Sequence, residues 1–171
     1  MDLLIRPITP AEHTALGEIT AHADLDDGLL DFGADDPYLE KLRAVLRRVA
    51  EAEVFVAVGA DGTLLGGVTY APPGNTWADV AGPDEAEFRM LAVARETRGL
   101  GAGEALVQAC IDRARGTEGI ARLVLSTTPA MLAAHRGYRR LGFVRTPERD
   151  WDPIPGLPLL TYSLSLSTTR R

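Results

Sequence analysis

The fold is decided by the stretch VARETRGLGAGEAL at residues 93–106. The apolar residues before it are typical of a strand, glycines stand at positions 99, 101 and 103, and the apolar spacing after them is typical of a helix. Glycines let backbone N–H groups approach an anion closely, and a helix start adds unpaired donors and a partial positive charge. The stretch therefore predicts a strand, a glycine turn and a helix N-terminus that together fit a pyrophosphate.

Two well-known nucleotide-binding patterns do not fit this stretch. The Walker loop requires Gly-Lys followed by Ser or Thr, whereas Glu104 follows Gly103. The dinucleotide fingerprint requires the spacing G-x-G-x-x-G, whereas these glycines alternate, and no strand–loop–helix unit opens the chain. A tight strand-to-helix connection that binds no ligand remains an open alternative.

Strand and helix patterns alternate on both sides of the glycine turn. Turn residues at 59–63 separate two strand-like runs and predict a hairpin. Apolar spacing predicts a helix at 38–50, and Thr128 with Pro129 predicts the start of a late helix. Further strands are predicted at 3–8, 85–93, 123–125, 143–144 and 159–166, and further helices end near residues 22 and 115. This order predicts one domain, residues 1–171, with an α/β or mixed α+β sheet.

Length, cysteine content and hydropathy narrow the class of protein. A chain of 171 residues can bury a core without disulfides, and its one cysteine, Cys110, lies on a helical apolar stripe that predicts burial. Three histidines and one cysteine give no cluster at zinc spacing. No apolar run has the length of a membrane span or signal peptide. We expect a soluble, cytoplasmic protein with no metal, membrane or nucleic acid partner.

The charge is distributed unevenly along the chain. Residues 1–88 contain 17 acidic and five basic residues, a net charge of −12, whereas residues 89–149 contain five acidic residues and 11 arginines, a net charge of +6. An anionic cofactor on the later part and a cationic substrate on the earlier part explain this asymmetry. A solvated surface produces the same pattern, so both interpretations stay open.

Three segments together resemble the GNAT acetyltransferase superfamily. Residues 98–103, RGLGAG, look like its acyl-CoA loop. Residues 87–93, EFRMLAV, resemble its fourth strand, and residues 138–143, YRRLGF, resemble its late Tyr-x-x-x-Gly-Phe segment. Order and spacing agree over residues 53–144, whereas the first 50 residues match in element order only.

The resemblance implies a central mixed, mostly antiparallel sheet that is splayed after the fourth strand and flanked by about four helices. It also implies that acetyl-CoA is the co-substrate, with its pantetheine arm lying beside the fourth strand and its pyrophosphate on the glycine loop. Met131 stands where many relatives carry Asn, so a side-chain hydrogen bond to the cofactor is not expected there. The implied cofactor-binding residues are Leu91, Ala92, Val93, Arg98, Gly99, Leu100, Gly101, Ala102, Gly103 and Glu104.

The chemistry implied by the resemblance is transfer of an acetyl group to a primary amine by direct attack in a ternary complex. An alkyl ammonium with a pKa near 10 must first lose a proton. Glu87 stands where some relatives hold a general-base glutamate, and Glu85 or water is the alternative. Tyr138 stands where the family has its general-acid tyrosine, although a core aromatic would give the same pattern. The backbone N–H of Val93, or that of a neighbouring residue, would polarise the thioester oxygen.

The acceptor is the least defined part of the prediction. Trp151 with Asp150 either lines the acceptor site or packs against the edge of the sheet. His135 either has a packing role or contacts the cofactor. Relatives often dimerise through late strands, which makes a homodimer an expectation from resemblance only. A non-enzymatic acyl-CoA binding module, and a domain that binds no cofactor, remain alternatives. Four acidic residues lie in the region that flanks the acceptor site in relatives, and they favour a small cationic amine as the acceptor. The alternative is that they are only solvated loop acids. These residues are Asp24, Asp26, Asp27 and Asp31.

Overall fold

A computed structural model describes the chain at residues 3–26, 44–153 and 155–166, with the backbone alone at 23–26. The side chains of Asp24 and Asp26, and all of Asp27 and Asp31, lie outside the described residues. So does the first part of the helix predicted at 38–50, residues 38–43, whereas its later part is observed as a helix at Val45–Glu51. The acceptor prediction that rests on those four acids therefore stays a prediction.

Seven strands and four α-helices make up the regular structure of the described residues. The strands are β1 (Leu3–Pro7), β2 (Glu53–Gly59), β3 (Leu64–Ala71), β4 (Glu85–Val93), β5 (Arg122–Thr127), β6 (Val144–Arg145) and β7 (Leu160–Ser165). The helices are α1 (His13–Asp26), α2 (Val45–Glu51), α3 (Ala102–Arg115) and α4 (Leu132–Arg140). None of these four helices combines the length and apolar character of a membrane span.

The strands form one sheet in the order β1-β2-β3-β4-β5-β7-β6. β4 and β5 are parallel, whereas β1 with β2, β2 with β3, β5 with β7 and β6 with β7 are antiparallel. The predicted mixed, mostly antiparallel sheet is therefore confirmed. By their contacts the residues divide into two compact units, Met1–Tyr70 with Met90–Ala109, and Ala71–Arg89 with Cys110–Arg171. The single domain at residues 1–171 stays a prediction.

The first unit is built on the predicted hairpin. β2 and β3 pair in antiparallel register from Glu53 opposite Tyr70 to Val58 opposite Leu64. Gly62 in the connecting turn has a φ of +86°, a conformation that glycine adopts without steric cost. Two helices pack against this hairpin, and one buried apolar cluster joins Leu16 of α1 and Val45 of α2 to the β2 residues Val54, Val56 and Val58.

Gly66 lies where β3 approaches the end of β4 too closely for any side chain. A Cβ atom at this position would overlap the carbonyl oxygen of Ala92 and lie 3.0 Å from the Cα of Val93. Both are backbone atoms, so Gly66→Ala is expected to displace β4 and lower the free energy of unfolding by about 1–3 kcal/mol. Thermal unfolding checks this, at roughly 2–4 °C per kcal/mol for a chain of this size.

Gly103→Ala is the matched control for that experiment. A Cβ atom at Gly103 would make an ordinary 3.6 Å contact with Cγ2 of Val93, inside a helix that favours alanine over glycine. Its melting temperature should stay level or rise. Equal melting temperatures for the Gly66 and Gly103 variants would contradict the prediction. They would mean that β4 shifts enough to accommodate the methyl group at no cost in stability.

The ladder between β4 and β5 ends inside β4. It consists of three pairs, from Glu85 opposite Arg122 to Glu87 opposite Val124. Three residues later Met90 has a φ of +57°, and no other described residue except glycine has a positive φ. That conformation costs roughly 1–2 kcal/mol and marks an irregular, bulge-like strand. The irregular backbone therefore follows the point where β4 stops pairing with β5.

The late helix begins later than the sequence predicts. The prediction puts its start at Thr128 and Pro129, but α4 begins at Leu132 with Met131 as its N-terminal flanking residue. Pro129 disfavours helical geometry at Thr128, and the Met131 N–H closes a separate turn on the Thr128 carbonyl at 3.3 Å. The proline therefore belongs to a turn that precedes the helix.

Candidate active site

A short 3-10 turn, Arg95–Thr97, joins β4 to the glycine segment. Just before it, the N–H of Ala94 donates to the carbonyl of Leu65 on β3 at 2.7 Å. The Thr97 hydroxyl closes the turn by donating to the Ala94 carbonyl at 2.9 Å. These bonds hold the start of the β4–α3 connection against β3. The position of the glycine segment that follows is therefore fixed at its beginning.

The glycine segment turns through two left-handed residues and then enters α3. Gly99 and Gly101 have φ values of +87° and +89°, and no atom lies within 4 Å of a Cβ built on either. Backbone conformation, not crowding, therefore requires glycine. The first helical bond runs from the Ala105 N–H to the Gly101 carbonyl at 3.0 Å. The N–H groups of residues 99–103 donate to no described acceptor, which leaves five successive donors at a helix start available to a ligand.

The left-handed conformation at Gly101 is expected to matter for binding acetyl-CoA. The left-handed conformation costs alanine about 1–2 kcal/mol. In Gly101→Ala the free protein should therefore leave this conformation, and binding of acetyl-CoA would have to restore it. We expect the Kd for acetyl-CoA to rise about tenfold, measured by calorimetry. Gly119→Ala is the matched control, because Gly119 has a φ of +92°, an equally open surrounding and a place in the turn after α3. Equal affinities for both variants would contradict a binding role for the segment.

Glu85, at the start of β4, has both carboxylate oxygens occupied. Oε1 accepts hydrogen bonds from Arg149 Nη2 at 2.7 Å and from the Gly82 N–H at 2.9 Å. Oε2 accepts from Arg122 Nε at 2.7 Å and Arg149 Nη1 at 3.1 Å. Burial alone raises the pKa of Glu85, but the bonds from Arg149 and Arg122 outweigh it and lower the pKa to about 2. Such a carboxylate is poorly suited to accept a proton at neutral pH.

Glu87 is held by backbone groups instead. Its Oε1 accepts the N–H groups of Asp79, Val80 and Ala81 at 2.8, 2.9 and 3.1 Å. No described group donates to Oε2. Burial raises the pKa of this carboxyl, whose side chain is 1% exposed, by more than the three N–H bonds lower it. One oxygen that is still available, together with a raised pKa, suits a general base better than the arrangement at Glu85.

We name residues 79–82 the amide turn, because four successive backbone N–H groups in it point at carboxylates. The first three donate to Glu87 and the fourth, from Gly82, donates to Glu85. The carbonyl of Val80 in the same turn accepts a bond from Arg149 Nη2 at 2.7 Å. The turn therefore holds both β4 carboxylates at once.

The end of α4 determines the position of Tyr138. Gly142 has a φ of +101°, its N–H donates to the Arg139 carbonyl at 3.0 Å, and the Phe143 N–H donates to the Tyr138 carbonyl at 3.0 Å. These two bonds are the Schellman end of a helix, and the rings of Phe143 and Tyr138 pack 6.0 Å apart across it. The Tyr-x-x-x-Gly-Phe spacing therefore has a structural cause, in which the glycine turns the chain so that Phe143 packs on Tyr138.

The Tyr138 ring is buried in an aromatic cluster. Its centroid lies 5.9 Å from that of Phe88 and 5.8 Å from that of Tyr162. Within the described part of the chain, its hydroxyl makes no hydrogen bond. Burial, with a smaller contribution from Tyr162, raises the pKa of Tyr138, so the phenol keeps its proton at neutral pH. Tyr138 can therefore donate a hydrogen bond or a proton, as the sequence predicts for a general acid, while also packing as a core aromatic.

Glu87 and Tyr138 do not lie side by side. Glu87 is opposite Val124 in the β4–β5 ladder and points to the same face as that residue. Successive side chains of a strand alternate, and the next residue, Phe88, contacts Tyr138. The candidate base and the candidate acid therefore lie on opposite faces of β4.

Trp151 and Asp150 are both held by other side chains. The indole N–H of Trp151 donates to the Ser126 hydroxyl on β5 at 3.0 Å. Asp150 accepts two bonds from the Arg145 guanidinium, both at 2.8 Å. The sheet-edge interpretation of this pair thus has direct contacts to support it.

His135 and Cys110 are both buried, and Cys110 is a core residue as predicted. His135 Nε2 lies 3.0 Å from the Thr128 carbonyl and its ring packs 5.6 Å from that of Tyr162, which fits the packing interpretation. Across the described ranges, no three His, Cys, Asp or Glu side chains are grouped so that they could hold a metal ion.

Sequence reasoning missed the amide turn and the two arginines behind it. For the segment that follows the β2–β3 hairpin and ends at Pro83, the sequence predicts only a surface loop. Arg149 is 64 positions from Glu85 and Arg122 is 37 positions from it, so no short motif links them. The one local signal is a pair of acids two residues apart on a strand, directly after turn residues.

The chain is similar to known proteins in sequence and in fold. Residues 20–143 match the family described as the Acetyltransferase (GNAT) family. An uncharacterized N-acetyltransferase of Schizosaccharomyces pombe is 30% identical over 154 residues, which cover 83% of this chain and 90% of that protein. The fold is similar to a GNAT-family acetyltransferase from Staphylococcus aureus, with a TM-score of 0.73, 17% identity, and coverage of 97% of this chain and 100% of that one.

A phosphinothricin acetyltransferase of the GNAT superfamily from Sinorhizobium meliloti, in complex with acetyl-CoA, also has this fold. Its TM-score is 0.72 at 17% identity, covering 96% of this chain and 89% of that chain. At such identities the two solved structures show the fold, while the family match covers most of the sequence. The glycine segment after β4, the sheet and these matches together show that the chain belongs to the GNAT family of acetyltransferases.

Proposed function

We propose that this enzyme transfers the acetyl group of acetyl-CoA to a primary amine by direct attack in a ternary complex. The observation that carries the proposal is the row of N–H groups at residues 99–103, which no described acceptor uses and which stands at the start of α3. The pyrophosphate of acetyl-CoA is an anion of the kind that a helix N-terminus binds. Family membership supplies the second support, since the relatives are acetyltransferases.

The donor is proposed to bind along the end of β4 and the segment that follows. The backbone of Leu91, Ala92 and Val93 would pair with the pantetheine amides like an added strand. The N–H groups of residues 99–104 would hold the pyrophosphate, and Arg98 would add a positive charge beside it. The positive φ values of Gly99 and Gly101 fit this role, because they turn the chain ahead of the helix start.

Glu87 and Tyr138, from opposite faces of β4, are proposed to act in two separate proton transfers, Glu87 before the amine attacks and Tyr138 as the C–S bond breaks. Glu87 Oε2, directly or through one water, would take a proton from the ammonium so that the neutral amine attacks the thioester carbon. The N–C bond forms and the C–S bond breaks. Tyr138 would donate its phenolic proton to the departing sulfur, so that CoA leaves as the thiol. The second proton, which the nitrogen loses as the amide forms, would return to the phenolate through solvent, and Glu87 would release its own proton to solvent. The N–H of Val93, or of a neighbouring residue, would stabilise negative charge on the carbonyl oxygen.

The acceptor is proposed to be a small cationic amine. The support is the net charge of −12 over residues 1–88, which contain 17 acidic and five basic residues. A cytoplasmic location is a further prediction from the sequence, and a homodimer formed through late strands is one from the resemblance alone.

A thiol-release screen tests the proposal. Purified protein and acetyl-CoA are incubated with a panel of small amines, amino acids and peptides, and free CoA thiol is followed with and without acceptor. Acceptor-dependent release supports an N-acetyltransferase. Binding is checked separately, because acetyl-CoA at 100 times its Kd stabilises a one-site protein by about 2.7 kcal/mol. Stabilisation without release for any amine would support a non-enzymatic acyl-CoA binding module, and the absence of both would overturn the proposal.

A further inference from the structure

We infer that Arg149 is a positioning residue for Glu87 and acts on it through the amide turn. This inference rests on the proposed function, in which Glu87 is the general base. Arg149 belongs to a 3-10 turn, Pro147–Arg149, far from Glu87 in sequence, and among the described residues its guanidinium bonds to Glu85 and Val80 but not to Glu87 itself. Its influence would pass through a single peptide group.

That peptide group joins Val80 to Ala81. Its carbonyl oxygen, on Val80, accepts a hydrogen bond from Arg149 Nη2 at 2.7 Å. Its N–H, on Ala81, donates to Glu87 Oε1 at 3.1 Å. A cation on the carbonyl side of a peptide polarises it and strengthens the bond that its N–H donates. Arg149 therefore both orients the amide turn and strengthens its hold on one oxygen of Glu87.

Arg149 is itself fixed on two sides. Its guanidinium makes two bonds to the Glu85 carboxylate, at 2.7 and 3.1 Å. Its carbonyl accepts the Thr161 hydroxyl from β7 at 3.0 Å. Glu85 in turn accepts the Gly82 N–H at the end of the amide turn. Arg149, Glu85 and the turn thus form a closed set of contacts that leaves Glu87 little freedom to rotate.

Charged groups surround Glu87 on every element packed near it. Glu85 and Arg89 lie on its own strand, Asp79 lies on the amide turn, and Arg122 and Arg149 come from β5 and from the 3-10 turn before β7. Asp79 raises the pKa of Glu87, and Glu87 in turn raises the pKa of Arg149, which shows that these charges act on each other. Because a nearby cation favours the ionised carboxylate, loss of Arg149 should raise the pKa of Glu87.

A purely structural role for Arg149 makes a different prediction, and Arg145 provides the matched control. Arg145 also makes two bonds to one carboxylate, that of Asp150, and one bond to a backbone carbonyl, that of Thr161 at 2.8 Å. The two arginine side chains have similar exposure, 30% and 28%. Within the described ranges Arg145 makes no hydrogen bond to the amide turn, so its loss tests the general cost of breaking such an ion pair.

The experiment compares Arg149→Gln with Arg145→Gln in the full chain, using the best amine found in the thiol-release screen. For Arg149→Gln we expect kcat to fall roughly 10- to 100-fold, as for a misplaced catalytic group, with the Kd for acetyl-CoA unchanged within twofold. The acid limb of its kcat–pH profile should move to higher pH by about one unit. Arg149→Lys should recover part of both effects. Arg145→Gln should lower the melting temperature without moving the acid limb.

The inference is overturned if the acid limbs of the two glutamine variants coincide with that of the wild type, or if both variants lose kcat equally. Should Arg149→Gln fail to fold, the double variant Glu85→Gln/Arg149→Gln replaces it, because it removes the buried Glu85 carboxylate together with its arginine partner. The double variant takes away one anion and one cation near Glu87, whose effects on the pKa of Glu87 oppose each other. The fall in kcat at an unchanged Kd for acetyl-CoA therefore decides, and an unchanged kcat overturns the inference. Glu87→Gln run in parallel separates the two proposals. Full turnover in Glu87→Gln rejects the base assignment, whereas lost turnover in Glu87→Gln with a normal Arg149→Gln rejects the positioning role alone.

Discussion

Glu87→Gln is expected to lower kcat by about 10²- to 10⁴-fold, the range typical of losing a general base. A glutamine oxygen can still accept the N–H groups of Asp79, Val80 and Ala81, so the amide turn should keep its place. The amide that replaces Oε2 cannot take a proton from an ammonium. The loss should therefore fall on turnover and leave the binding of acetyl-CoA unchanged.

Three measurements check this result. Steady-state kinetics give kcat, calorimetry gives the Kd for acetyl-CoA, and thermal unfolding shows whether the fold is intact. Raising the pH towards the pKa of the amine, near 10, should restore part of the activity, because more acceptor is then already neutral. Wild-type turnover in Glu87→Gln at neutral pH would show that water or another group removes the proton.

Tyr138→Phe is expected to lower kcat about 10²-fold. The change removes one hydroxyl from a ring held by Phe88, Phe143 and Tyr162, so the aromatic packing should survive. A CoA thiol with a pKa near 8.5 leaves more easily than an alkoxide, which is why we place this effect at the lower end of the range for general acids. Because burial raises the pKa of Tyr138, wild-type activity should not fall through ionisation of this phenol near neutral pH.

Tyr162→Phe is the matched control for the tyrosine experiment. Tyr162 is as buried as Tyr138, and their ring centroids lie 5.8 Å apart in the same cluster. Its loss of a hydroxyl should leave kcat within a few fold of the wild type. Equal losses in the two variants would indicate a shared effect on packing and would remove the general-acid role of Tyr138.

Much of the fold could be predicted because its signals are local. The β2–β3 hairpin follows from turn residues between two apolar runs, and the glycine stretch predicts the passage from β4 into α3. The start of α4 was predicted wrongly because Thr128-Pro129 fits both a helix start and a separate turn, and only the bond from Met131 to Thr128 distinguishes them. The left-handed Met90 has no local signal, since methionine shows no preference for that conformation.

The sequence proposes residues for the candidate site, and these stay a prediction, but it does not indicate their surroundings. Resemblance indicates Glu87 and Tyr138, and the positive φ at Gly142 gives a physical reason for the spacing around the tyrosine. Spacing alone could not separate Glu87 from Glu85, because both lie on one face of the strand. The two carboxylates differ in partners that are distant in sequence. Arg149 makes two hydrogen bonds to Glu85, whereas Glu87 accepts hydrogen bonds from backbone N–H groups.

The uneven coordination of the Glu87 carboxylate has a consequence for the direction of attack. An ordinary surface carboxylate offers two equivalent oxygens and can swivel to meet an incoming donor. Here three N–H groups occupy Oε1, so rotation would break all of them and protonation is confined to the opposite oxygen. If Glu87 takes the proton directly and not through water, an amine that arrives at a different angle would meet a carboxylate that cannot turn towards it. Approach geometry, as well as charge, would then select among acceptors.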